Sequence, residues 1–174
     1  MHHSIGFGDE KATIRVYVKN RPRLIQYQQL DTVLPLNKHL IEQINSEAGN
    51  GWRKVFNVYA KWLFTLQPKS LSLNCVQSWQ QLRDECLLSA KSKTALLFSD
   101  PDLSTAALHV IAGRQHAKEL SGDSSLGINL IWLNDEFAID KENNVIVCPY
   151  FDYRQLSNVK IETLCQLIDH NLNA

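Results

Sequence analysis

The sequence predicts a single α/β domain of three α/β/α layers around a mostly parallel central sheet of about four strands. The apolar runs at residues 94–98, 107–112 and 145–148 lack the alternation of half-buried strands. Each is therefore expected to be covered on both faces, as the strands of a parallel sheet are. Segments of helical period precede, separate and follow these runs. No repeat, linker or low-complexity stretch divides the 174 residues, and a chain of that length buries roughly 70% of its unfolded surface, enough for one core.

Composition narrows the class. Hydrophobic residues make up 44% and charged residues 21%, which argues against disorder. The 18 basic and 18 acidic residues cancel, so no global field draws the chain to nucleic acid or to a membrane, and polyanion binding requires a local patch. Cys75, Cys86, Cys148 and Cys165 show no metal-like spacing and read as reduced, buried thiols. Residues 1–6 lack a charged segment followed by an apolar one, and no run approaches the ~20 apolar residues of a membrane span. A cytoplasmic protein without cofactor, metal or membrane partner is expected.

Taken in order, the chain opens loosely around Gly6 and Gly8. Residues 13–18 are rich in β-branched side chains and read as a first strand, ended by the basic turn Asn20-Arg21-Pro22-Arg23. Residues 24–36 are irregular or briefly helical. Asn37 caps a helix with Leu40, Ile41 and Ile44 on one face, ended by Gly49. A second helix, with Asn50 as cap, is apolar over more than half its circumference and so is expected to pack on two sides. A third carries Val76, Trp79, Leu82, Cys86 and Leu87, with Asn74 as its cap. Strands follow at 94–98 and 107–112, then a short helix from Arg114 to Leu120. Residues 129–133 are a candidate strand, 137–148 read as strand, tight turn and strand, and the last helix starts near Asn158.

In open α/β sheets, ligands gather beyond the carboxyl ends of the strands. That rule selects three loops, which converge only if their strands are parallel and adjacent. At the first, Arg21 and Arg23 are placed to bind phosphate and Asn20 to meet a polar ligand edge, unless this is a solvated basic turn. At the second, Gly113 allows a sharp strand-to-helix turn whose free amides favour anions, with Arg114 and His116 as added donors. The third, residues 149–158, holds the densest chemistry. Tyr150, Phe151 and Tyr153 offer a stacking platform, Arg154 a phosphate contact and Asp152 a base or acceptor, with Ser157 and Asn158 completing the ligand-binding set. The alternative buries alternate residues of this loop, pairs Asp152 with Arg154, and leaves Ser157 or Asn158 to cap the last helix. His109 lies in mid-strand and reads as a core histidine. Metal binding by His2 and His3 would be adventitious, and turn chemistry accounts for Asp100 and Asp102 as well as cation binding does.

The element order resembles the uracil-DNA glycosylase superfamily. Asn20-Arg21-Pro22 would stand at its first loop, Leu108-His109-Val110-Ile111-Ala112-Gly113 at its strand-to-helix turn, and Cys148-Pro149-Tyr150 through Leu156-Ser157 at its late proline loop. Cys148 occupies the place of a catalytic histidine, and the first loop lacks the acidic or glycine-rich pattern. The resemblance implies binding of a nucleotide, a base or single-stranded nucleic acid at the strand ends. If chemistry is retained, it would be glycosidic cleavage of a flipped base, with Asp152 and His116 as the catalytic candidates. The string at 149–158 is also similar to one in small bacterial proteins, a likeness that supplies no function. The competing expectation is a non-catalytic interaction module whose aromatic loop docks a partner protein or a second copy.

Overall fold

The computed structural model describes residues 3–174; His2 lies outside the described residues. Among them the chain forms eight strands and six α-helices in one sheet-centred domain. The strands are β1 (Gly6–Gly8), β2 (Ile14–Tyr17), β3 (Val33–Leu34), β4 (Thr94–Leu97), β5 (Leu108–Ala112), β6 (Ile131–Trp132), β7 (Ala138–Asp140) and β8 (Val145–Cys148). The helices are α1 (Ile25–Gln28), α2 (Lys38–Glu47), α3 (Asn50–Leu66), α4 (Trp79–Glu85), α5 (Arg114–Ser121) and α6 (Asn158–Asn171).

The sheet order is β3-β1-β4-β2-β5-β8-β7-β6. β4, β2, β5 and β8 are mutually parallel, with Val16 opposite Leu96 on one side and Val110 on the other. β1 runs antiparallel to β4, and β7 antiparallel to β8. The expectation of about four strands is therefore corrected to an eight-stranded mixed sheet. A glycosylase-like, nucleic-acid-binding identity is not matched by this sheet and is set aside with it. The margins escaped the sequence because β3 and β6 have two residues each, too few to carry a period of two.

β1 escaped for a different reason, its glycines. Gly8 has φ +115°, and a Cβ there would lie 2.2 Å from the Thr94 carbonyl oxygen. Glycine is what lets β1 approach β4 so closely, whereas in the sequence it suggests loop.

Alternation along the buried strands sorts two cores. Ile14, Val16, Leu96, Leu108, Val110, Ile146 and Cys148 face the larger one, beneath α2, α3, α4 and α6. Tyr17, Ala95, Leu97, Ile111, Val145 and Val147 face a smaller one closed by α5 and Leu103. α3 is the central helix: Val55, Phe56, Tyr59, Trp62 and Leu63 are each at 0% exposure. Its Tyr59 hydroxyl donates to the Ala95 carbonyl at 2.9 Å, pinning the helix to β4.

Helix ends are partly as expected. The Asn37 side chain accepts from Leu40 N–H at 2.9 Å and caps α2. The cap of α3 is Gly49 rather than Asn50, and that of α4 is Ser78 rather than Asn74. All four cysteines are free; Cys148 and Cys165 are buried, Cys86 is half-buried and Cys75 is exposed, not buried as expected. Among the described residues, no helix is long and apolar enough to cross a membrane.

Candidate functional site

Because β2, β5 and β8 are parallel neighbours, the three candidate loops leave the same edge of the sheet. The first and third share a cleft of about 720 Å³, with Lys19, Asn20, Arg21 and Arg23 on one side and Gly51, Trp52 and Tyr150 on the other. Among the described residues, no carboxylate, imidazole or thiol lines it.

The cations of this cleft differ in how they are held. Arg21 Nη1 donates to the carbonyls of Tyr27, Gln28 and Leu30 at 3.2, 2.9 and 2.8 Å. That side chain closes the end of α1, and its guanidinium lies 6.0 Å from the Phe98 ring centroid. Lys19 pairs with Glu119 of α5 at 3.0 Å. Arg23 is exposed and forms no ion pair among the described residues. The aromatic side is firmer. Trp52 packs edge-on to Phe98 at 6.1 Å, and half-buried Tyr150 has its phenol pKa raised by desolvation and then by the Asp152 charge. The Tyr150 phenol is therefore neutral, and the cleft meets its ring and the edge of Trp52.

Loop 149–158 is divided among several surroundings rather than presented as one platform. Phe151 is fully buried between Tyr59 and Trp62, at 5.6 and 6.1 Å, and Leu156 is buried below it. Asp152 accepts from Arg154 Nη2 and from the Arg154 backbone N–H, both at 2.9 Å, and lies 3.6 Å from Lys54 Nζ. The Arg154 hydrogen bond above all holds its carboxyl down at about 2, against the opposing effect of burial. A carboxylate so stabilised is a poor proton acceptor near neutrality. Tyr153 points outward, 56% exposed, with Lys54 Nζ 5.3 Å from its ring centroid. Ser157 precedes α6 without a side-chain cap, and Asn158 is the exposed first residue of that helix.

The second loop lies toward the other side of the sheet. Gly113, at φ +105°, starts α5, and its N–H donates to the Cys148 carbonyl at 2.8 Å. Arg114 reaches exposed Asp135 at 3.9 Å. His116 has its pKa lowered by desolvation. Neither His116 nor Asp152 lines the cleft. Asp152 is tied to Lys54 on α3, over the larger core, whereas α5 packs on the smaller one.

Sequence reasoning missed two contributors. Trp52 belongs to the helix whose wide apolar surface predicts packing on two sides, and at 9% exposure it still offers an edge to the cleft. The polar stripe Arg53, Lys54, Asn57 and Lys61 on α3 lines a separate groove of about 400 Å³ with Tyr153. Its signal was present in the sequence as helical spacing on an otherwise apolar helix.

The chain belongs to DUF6942, a family of unknown function, whose model matches residues 5–169. No curated protein and no solved structure matches the chain.

Proposed function

We propose that this member of the DUF6942 family binds a small phosphate-bearing ligand of the nucleotide class in the cleft where β2 and β8 end. The observation that supports this reading is the lining: three cations and no acid on one side, an indole and a phenol on the other. Arg23 and the free edge of Arg21 meet phosphate oxygens, because a guanidinium bonds two oxygens in one plane. The half-buried Tyr150 ring and the exposed edge of Trp52 offer apolar contact to a base, and the Asn20 amide supplies a donor and an acceptor for its edge. The lining supplies binding groups rather than a proton acceptor or nucleophile, so recognition is proposed and not turnover.

Calorimetric titration with ADP, pyrophosphate and adenosine tests the reading. ADP is expected to bind more tightly than either fragment. A charge-assisted hydrogen bond contributes about 1.5–3 kcal/mol, so Arg23→Ala is expected to weaken ADP roughly 10- to 100-fold and leave adenosine unchanged. Equal affinity of wild type and Arg23→Ala for ADP, or no saturable ADP binding, refutes it.

A further inference from the structure

The groove on α3 is separate from the cleft and has its own chemistry. Asn50, Arg53, Lys54, Asn57 and Lys61 line one side and Tyr153 the other, again with no acidic residue among the described residues. Arg53 is exposed and forms no ion pair among the described residues. Lys61 rests 5.0 Å above the Trp79 ring and has no acidic partner there either. Lys54 leans on Asp152, which Arg154 already neutralises, so the groove retains net positive charge. Arg83 Nη1 donates to Asn57 Oδ1 at 3.0 Å, leaving the Asn57 amide N–H groups for a ligand.

We infer that this groove docks an acidic segment of a partner protein in extended conformation. Shape decides for a peptide over a single phosphate. From Arg53 to Lys61 the helix rises roughly 12 Å, which an extended chain covers in about four residues. Carboxylates on alternate residues of such a chain lie on one side and meet both cations. The Tyr153 ring beside Lys54 and Val58 between the cations give the groove apolar surface, which suits apolar side chains between the acids. Net charge decides against a nucleic acid. With 18 basic and 18 acidic residues the chain has no global positive field, whereas a nucleic acid continues past this short groove with more phosphates than the groove can neutralise.

The test is fluorescence anisotropy at low salt with a labelled Glu-Ala repeat peptide, set against labelled single-stranded oligothymidylate. Saturable peptide binding is expected, weakened about 10-fold by Lys61→Glu and several-fold by Tyr153→Ala. Arg53→Ala, at an exposed and unpaired position, carries little folding risk and is expected to weaken the peptide about 3-fold. Circular dichroism establishes that each variant is folded. No saturable peptide binding, or binding that none of the three variants changes, overturns the inference. Tighter binding of the oligonucleotide than of the peptide overturns it in favour of a nucleic acid. None of Arg53, Lys61 and Tyr153 lines the cleft between β2 and β8, so the outcome is independent of nucleotide binding there.

Discussion

Replacing Tyr17 by Phe removes one hydroxyl from beneath the loop that joins β4 to β5. Tyr17 is 1% exposed, and desolvation holds its phenol well above its ordinary pKa, so it is a donor at all ordinary pH. His109, at 0% exposure on the neighbouring strand, has Nδ1 2.7 Å from that hydroxyl and Nε2 3.0 Å from the Thr105 carbonyl. A carbonyl can only accept, so Nε2 carries the proton and Nδ1 accepts from Tyr17. The Phe ring keeps the apolar contacts, and the void left is smaller than a water. The loss therefore comes from the orphaned Nδ1, about 1–3 kcal/mol for a buried group without a partner. With a urea m-value of about 2 kcal/mol/M, the unfolding midpoint is expected to fall by roughly 0.5–1.5 M at unchanged m. A fall below about 0.2 M would refute the pairing, because the acceptor would then have another donor.

The same histidine sets a pH dependence. Desolvation lowers its folded pKa below the ordinary value, as it does for His116, so below about pH 6.5 the unfolded chain binds more protons than the folded one. Stability is thus complete above that pH and is lost as pH falls toward the folded pKa. His109→Gln, which can still accept from Tyr17, is expected to flatten this slope while the His116 share remains; an unchanged slope in urea melts between neutral and mildly acidic pH counts against it. Gly8→Ala places a Cβ 2.2 Å from the Thr94 carbonyl oxygen at φ +115°, and a cost of about 3 kcal/mol or more is expected. A chain of this size should then lose roughly 6–12 °C in Tm, and a change under about 2 °C would show that β1 does not lie so close to β4.

The sequence by itself determined the α/β class, the cap at Asn37, the greasy helix that became α3, the β-branched segment that became β2 and the three apolar runs that became β4, β5 and β8. These follow from periodicity and capping, which act between residues a few positions apart. Tertiary structure alone decided that a segment with two glycines forms a strand between β3 and β4, that Tyr17 and His109 meet across 92 residues of chain, and where the side chains of loop 149–158 go. Within four residues, Tyr150 joins the Arg23 cleft, Phe151 enters the core, Asp152 is locked by Arg154 and Tyr153 walls the α3 groove. In an irregular loop no fixed period assigns side chains to faces. Each direction is set by what lies opposite, here Trp52, Trp62 and Lys54, three residues of one helix about a hundred positions away in the chain.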